Sequence, residues 1–307
     1  MVVFSSYAMQ VIMSFLMLAM IFIMYPRASI SADRINEVLS TKTKIKNGKV
    51  KKSEETGTLE FKNVSFKYPD SDEPVLENIS FKANKGETIA IIGSTGSGKS
   101  TLVNLIPRFY DVTSGSILID GIDVKDYDLN SLYDRLGYVP QKAVMFNGTI
   151  KYNVSYGKKS NYEFTENKIK EAIEVAQAKE FVEKMPKKYD SNISQGGTNV
   201  SGGQKQRLSI ARAIARDPEI YIFDDTFSAL DYKTDYVLRK KLKEYTKDAT
   251  SIIVAQRIGT IKNADKIIVL DKGKTVGIGT HKELLNKCKV YKEIAYSQLS
   301  KEELENE

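Results

Sequence analysis

The chain has 307 residues, of which 41% are hydrophobic and 28% charged, so it can form one large globular domain or two modest ones. A single cysteine, Cys288, excludes an internal disulfide, and a single histidine, His281, excludes a multi-histidine metal site. The formal net charge of +7 suits nucleic acid or an anionic membrane surface without being specific for either.

The N-terminal region, residues 1–40, predicts a membrane segment. Residues 7–25 carry no charge, and about 20 apolar residues are needed to cross a bilayer as a helix. No basic residue precedes this run, so a signal peptide fits poorly. The first basic residues, Arg27 and Arg34, follow it and place its C-terminal side in the cytoplasm. The alternative is a buried core helix. Residues 28–39 are predicted to form a helix that leads away from the membrane on the cytoplasmic side. The lysine-rich residues 41–57 are predicted to form a linker.

From residue 58 to residue 297, predicted strands alternate with predicted helices, which indicates an α/β domain. The strands are expected to begin at Leu59 and to lie at 88–92, 220–223, 251–255 and 266–270. The helices are expected from Ser100 onward and around 166–184, 204–216 and 233–245. The acidic residues 298–307 predict a frayed tail.

A phosphate-binding loop is predicted where the strand at 88–92 ends. The loop consists of Gly93, Ser94, Thr95, Gly96, Ser97, Gly98, Lys99, Ser100 and Thr101. This spacing matches G-x-x-x-x-G-K-[ST] between a strand and a helix, where glycines allow backbone N–H groups to face phosphate oxygens. The following helix adds its positive N-terminal end. Lys99 is predicted to reach the β- and γ-phosphates of ATP, and Ser100 to ligate Mg²⁺.

The apolar run at 220–223 ends in Asp224. An apolar strand that ends in a carboxylate, far downstream of a phosphate-binding loop, predicts a second Mg²⁺ ligand.

Residues 200–204 read Val-Ser-Gly-Gly-Gln, which closely resembles the L-S-G-G-Q signature of ABC transporters. Other positions are similar to that family as well. Tyr68 resembles the aromatic residue that stacks on adenine, Gln141 the Q-loop glutamine near Mg²⁺, and Asp231 the aspartate of the D-loop. The resemblance covers residues 58–297. The N-terminal segment also looks like the last transmembrane helix of a multidrug-type exporter.

The resemblance implies a P-loop NTPase fold with a parallel sheet core, an antiparallel β subdomain and a helical subdomain, preceded by one transmembrane helix. It implies ATP and Mg²⁺ as cofactors. The catalytic residues it implies are Asp225, Gln256, Gln141, Ser201, Gly202, Gly203, Gln204 and Asp231. The Mg²⁺ ligands it implies are Ser100, Gln141 and Asp224. It also implies that two such domains sandwich two ATP molecules, each held by the loop of one chain and the signature of the other.

Three positions depart from the family pattern. Asp225 stands where a catalytic glutamate is usual, Gln256 where the switch histidine is usual, and Gln195 where relatives usually carry glutamate. A shorter carboxylate and a side chain that cannot become cationic both weaken catalysis. We therefore predict a degenerate site that pairs with a different half-transporter. The alternative is a homodimer with two equal sites.

The predicted partners are a second half-transporter, membrane lipid and an unidentified transported substrate, with no nucleic acid. The predicted location is the cell membrane, with the ATP-binding domain on the cytoplasmic side. An exporter half carries several spanning helices, so a chain with one is expected to be truncated or to act with helices on another polypeptide. Competing classes are a soluble ABC-type ATPase acting on DNA, an importer ATPase, and a binding module that never hydrolyses ATP.

Overall fold

The structure is a computed structural model that describes residues 1–157 and 164–298. The chain forms two compact units, Met1–Lys46 and the residues from Asn47 onward. Apart from Gln298, the predicted acidic tail lies outside the described residues.

The first unit contains a single helix, α1 (Val2–Ser40), and none of the residues of this helix is buried. With 39 residues it is about 58 Å long. Its most apolar window has a mean hydropathy of 2.1, so its length and composition suffice to cross a membrane. The helix continues through Pro26, and the two helices predicted at 7–25 and 28–39 are therefore one. A proline removes one backbone hydrogen bond from a helix interior, but it does not have to end the helix.

The described part of the second unit contains twelve strands and ten α-helices. The strands are β1 (Leu59–Phe66), β2 (Leu76–Ala83), β3 (Thr88–Gly93), β4 (Ser114–Ile119), β5 (Ile122–Asp123), β6 (Leu136–Val139), β7 (Gly148–Thr149), β8 (Asn192–Ile193), β9 (Ile220–Asp224), β10 (Thr250–Val254), β11 (Lys266–Asp271) and β12 (Lys274–Gly279). The helices are α2 (Lys99–Leu105), α3 (Leu129–Arg135), α4 (Ile150–Val154), α5 (Glu166–Val175), α6 (Lys179–Lys184), α7 (Gly202–Ala215), α8 (Tyr232–Tyr245), α9 (Ile258–Ile261), α10 (His281–Lys287) and α11 (Lys289–Tyr296).

The central sheet has six strands in the order β12-β11-β3-β10-β9-β6. β6, β9, β10, β3 and β11 are parallel, and β12 is antiparallel to β11. The parallel strands are short apolar runs because helices or the second sheet cover both of their faces. Their carboxyl ends lie at one edge, which is where open α/β sheets bind their ligands.

A second, antiparallel sheet has the order β2-β1-β4-β5. Its apolar face and α2 share one cluster of buried side chains with the central sheet, called here the first cluster. Phe61 and Phe81 stack within it, with ring centroids 4.5 Å apart. A two-stranded ribbon pairs β7 with β8.

The helical part of the unit rests on a second cluster, formed by α5, α7, α8 and the neighbouring faces of β6 and β9. The helix predicted at 166–184 is divided into α5 and α6. Gln177 lies between them with φ of 55°, in the left-handed region that ends a helix. A third cluster packs α10 and α11 against β3 and β11. Together these parts confirm the predicted α/β fold with its parallel core, antiparallel subdomain and helical subdomain.

Part of the predicted linker is folded into the second unit. The backbone N–H groups of Gly48 and Lys49 donate to the carbonyls of Tyr127 and Asp126, at 3.0 and 2.8 Å. A Cβ at position 48 would lie 2.2 Å from the Asp126 carbonyl oxygen, so the close approach requires glycine. The lysine-rich linker sequence shows no hydrophobic period of 2 or 3.6 residues, so this pairing could not be predicted from it.

A buried ion cluster joins the antiparallel subdomain to the central sheet. Arg135 at the end of α3 donates to Asp120 at 2.8 Å and to Glu219 at 2.7 Å. The Asp120 side chain is fully buried, and burial raises its pKa to about 6 although Thr58 and Arg135 oppose the shift. The guanidinium of Arg135 therefore compensates the charge of the Asp120 carboxylate, which water does not reach.

Replacing Arg135 by methionine is expected to lower the free energy of unfolding by about 3 to 5 kcal/mol, because Asp120 is left buried without its partner. Loss of the guanidinium raises the pKa of Asp120 further. A carboxyl whose folded pKa exceeds its unfolded pKa loses stability as pH rises through the folded value, so the penalty should be larger at pH 8 than at pH 5. Urea unfolding of the full chain, followed by circular dichroism, measures both.

The control is Lys62→Met, which breaks the exposed pair between Lys62 and Glu60 and should change stability by less than about 0.5 kcal/mol. A loss below about 1 kcal/mol for Arg135→Met would contradict the role assigned to the cluster.

Candidate functional site

The predicted phosphate loop connects β3 to α2. Gly96 and Gly98 have φ of 83° and 95°, which side chains with a Cβ rarely adopt. A Cβ at Gly93 would lie 2.2 Å from the carbonyl oxygen of Leu270, so β3 and β11 leave no room for one. At Gly96, by contrast, a Cβ would meet no atom within 4 Å. The loop is thus packed tightly on one side and open on the other.

Lys99 spans this loop. Its side-chain Nζ donates to the carbonyl oxygens of Gly93 at 2.8 Å and Ser94 at 2.7 Å. The residue is buried, and burial lowers the pKa of its ammonium while Asp225 and Asp224 act in the opposite direction. A cation held in a glycine-rich loop fits the phosphates of a nucleotide.

Two oxygen ligands for a divalent cation lie next to the loop. Ser100 at the start of α2 donates through Oγ to Asp224 Oδ1 at the end of β9, over 3.1 Å. Burial raises the pKa of Asp224, and the neighbouring Asp225 adds to the shift. The described residues contain no group of three His, Cys, Asp or Glu that could hold a metal. A hydroxyl with one carboxylate suits Mg²⁺, which keeps waters and substrate phosphates as its remaining ligands.

Asp225 follows directly and accepts two amide hydrogen bonds on the same oxygen, Oδ2. Gln141, which follows β6, donates from Nε2 at 3.1 Å, and Gln256, which follows β10, donates at 2.7 Å. The Asp225 backbone has φ of 45°, and its N–H donates to the carbonyl of Val254 at 3.0 Å. Three neighbouring strands thereby fix one carboxylate. Asp225, Gln141 and Gln256 come from separate sequence motifs, and hydrogen bonds join their side chains in one site.

Tyr68 lies next to Thr101, the last residue of the phosphate loop. Its hydroxyl is 3.1 Å from Thr101 Oγ1, and its ring packs edge-on against Phe66 and Tyr110 at 4.8 and 5.1 Å between centroids. Tyr68 is therefore held near the start of α2, where a planar base could contact it.

The residues of the predicted signature occupy the N-terminus of α7. Ser201 is the N-cap: its Oγ accepts the Gln204 N–H at 3.3 Å, while Gln204 Oε1 accepts the Ser201 N–H at 2.9 Å. Ser201 and Gly202 are exposed, and a Cβ at Gly202 would meet no atom within 4 Å. Gly203 is more closely packed, because a Cβ there would lie 3.4 Å from the Ala229 carbonyl oxygen.

Asp231 is the N-cap of α8 and accepts the N–H of Thr234 at 3.0 Å, which lowers the pKa of its carboxyl. Gln195 accepts a 3.3 Å bond from the N–H of Asn147, close to the ribbon of β7 and β8. The signature helix belongs to the second cluster, whereas α2 belongs to the first. The structure thus gathers the loop, Asp224, Asp225, Gln141 and Gln256, and it leaves the signature at a separate, exposed position.

Sequence reasoning missed Tyr138, which lies on β6 next to this site. Its hydroxyl donates to Asn104 Oδ1 at 2.9 Å, and burial together with Asp224 raises its pKa. Its place near the carboxyl end of a parallel strand, three residues before Gln141, is the signal that could have identified it.

Residues 76–228 match the family model described as ABC transporter. The chain belongs to the ABC transporter family. An uncharacterized ABC transporter ATP-binding protein of Mycobacterium bovis is 47% identical over 97% of the chain and 51% of its own length. A putative multidrug export ATP-binding/permease protein of Bacillus subtilis is 43% identical over 80% of the chain and 42% of its own length.

Among solved structures, a bacterial Atm1-family ABC exporter with ATP bound superimposes with a TM-score of 0.82 and 34% identity. The match covers 92% of this chain and 49% of the exporter chain. The family member described here thus spans about half the length of the relatives it matches.

Proposed function

We propose that the chain binds ATP with Mg²⁺ and couples ATP hydrolysis to export across a membrane, as one half of an ABC exporter. The observation that carries the proposal is the arrangement of Lys99, Ser100 and Asp224 at the carboxyl ends of β3 and β9. The relatives named as exporters, together with the apolar helix α1, support the membrane part of it.

In this proposal the open face of the phosphate loop receives the β- and γ-phosphates of the substrate ATP, and Lys99 exchanges its carbonyl partners for phosphate oxygens. Bound Mg²⁺ neutralises developing charge on the transferred phosphoryl group. Ser100 and Asp224 would hold that ion, and Gln141, which bonds Asp225, would supply a further ligand. Asp225 orients the attacking water, and Tyr68 stacks on the adenine. The exposed signature offers donors to ATP held by the other half.

The proposed membrane arrangement places α1 across the bilayer with its C-terminal end in the cytoplasm. Every described residue of α1 is exposed, and its apolar side chains occupy all faces. A helix that is apolar all round is stable in lipid or in a large protein core. Arg27 and Arg34 then lie on the cytoplasmic side.

The site of this chain is proposed to be degenerate, with slow turnover of its own. Asp225 faces the amide of Gln256 in place of the family's histidine, and an amide cannot become cationic to stabilise developing charge. The Asp225 side chain is also one carbon shorter than that of glutamate. Because Ser201 and Gly202 are exposed at the capped N-terminus of α7, this end of the helix can complete a competent site on a different partner chain. A homodimer with two equal sites is the alternative.

The test uses the full chain purified in detergent. ATP binding and phosphate release are each measured with Mg²⁺ and with excess EDTA. We expect binding in the presence of Mg²⁺, slow phosphate release, and no release in EDTA. Absence of nucleotide binding would overturn the proposal. Recovery of the chain in the soluble fraction, with hydrolysis stimulated by DNA, would favour the ATPase acting on DNA that the net charge of +7 permits.

A further inference from the structure

The last described turn of the chain is firmly attached to the third cluster. Tyr291 and Ala295 of α11 are fully buried, and the Tyr291 hydroxyl lies 2.7 Å from Nδ1 of the buried His281. After α11 ends, the N–H of Gln298 donates to the carbonyl of Ala295 at 3.0 Å. The backbone of Gln298 is therefore fixed by a helix that packs on β3 and β11.

The side chain of Gln298 bonds the segment between β10 and α9 in two ways. Its Nε2 donates to the backbone carbonyl of Gln256 at 2.7 Å, and its Oε1 accepts the N–H of Ile258 at 2.8 Å. We call residues 255–258 the switch segment. An amide is suited to this contact because it donates and accepts at once, whereas glutamate accepts only and lysine donates only.

These contacts form a continuous connection to the catalytic carboxylate. Gln298 fixes the backbone of Gln256, and the side chain of Gln256 donates to Asp225 at 2.7 Å. The N-terminus of α9 has no side-chain cap of its own, so Gln298 satisfies an N–H that its own segment leaves unpaired. We infer that Gln298 is a positioning residue that aims the Gln256 amide at Asp225, and thereby sets the rate of the hydrolysis step. The inference rests on the proposed ATPase function.

The expected consequence is a change in kcat without a change in ATP affinity. In the full chain, Gln298→Ala should lower kcat about 3- to 10-fold and leave KM for ATP unchanged, because Tyr68 and the phosphate loop are untouched. Hydrogen exchange at the Ile258 amide should accelerate. Gln298→Glu retains the acceptor for Ile258 but places a negative charge against the Gln256 carbonyl. It should keep the Ile258 amide protected and still lower kcat.

Ser297→Ala is the matched control, since it removes a hydroxyl that bonds the Ile294 carbonyl in the same turn without touching the switch segment. It should leave kcat unchanged. The decisive measurement is a double-mutant cycle with Gln256→Ala. If Gln298 acts through Gln256, then Gln298→Ala has no further effect on kcat once Gln256 is alanine.

Additive losses in that cycle would assign Gln298 a merely structural role and overturn the inference. An unchanged exchange rate at Ile258 in Gln298→Ala would overturn it as well. A native chain that binds no ATP and releases no phosphate defeats the proposed function instead. Exchange at Ile258 then still decides whether Gln298 holds the switch segment.

Discussion

Replacing Asp225 by glutamate and Gln256 by histidine in the same chain is expected to raise ATP turnover about 10- to 100-fold. The longer carboxylate reaches further toward the attacking water, and a misplacement of about 1 Å at such a base costs roughly 100-fold. Histidine can become cationic and stabilise the developing charge, which an amide cannot.

The comparison requires steady-state phosphate release and ATP affinity for the native chain, both single variants and the double variant. ATP affinity should stay the same, because neither residue belongs to the phosphate loop. Asp225→Asn keeps the size of the side chain but removes its charge, and it should suppress the remaining turnover. If the native chain already turns over as fast as the double variant, its site is complete and the homodimer with equal sites becomes the better explanation.

Lys99→Ala is expected to abolish measurable hydrolysis, with a loss of about 100- to 1,000-fold in kcat/KM. The ammonium lies within the phosphate loop, and no neighbouring side chain in the described site replaces it. In the present structure it also bonds the carbonyls of Gly93 and Ser94, so its removal loosens the loop itself. ATP binding, measured at equilibrium, and phosphate release should therefore both fall.

Lys289→Ala supplies the matched control, because this lysine is highly exposed and its ammonium lies 3.8 Å from Glu293 on the surface of α11. It removes the same charge and should leave both measurements unchanged. Full activity in Lys99→Ala would exclude the phosphate loop as the site of hydrolysis.

The fold and the phosphate loop could be predicted because their signals are local. Short apolar strands, a glycine-rich turn and a following helix each leave a pattern within about ten residues, and they were found near the expected positions. Helix boundaries were less accessible. The prediction separated residues 7–25 from residues 28–39, although α1 continues through Pro26, and Gln177 interrupts a stretch that has a helical pattern on both sides.

The arrangement around Asp225 could not be predicted at that level. Gln141 and Gln256 were recognised from separate motifs, but their convergence on one carboxylate oxygen depends on β6 and β10 both flanking β9. The contact of Gln298 with residues 256 and 258 is more remote still. It joins a side chain to backbone groups about forty positions away, and because every residue has these backbone groups, the sequence does not identify them as partners.

Alternate residues of β9 face different parts of the interior, as expected for a strand whose side chains point to opposite sides in turn. Ile222 belongs to the first cluster, which includes residues of α2, and Phe223 to the second, which includes residues of α7. The next residues are Asp224 and Asp225. Packing on both sides of β9 therefore fixes the backbone that carries both carboxylates. Substitutions in the second cluster are thus expected to affect the carboxylates of the ATP site without contacting them.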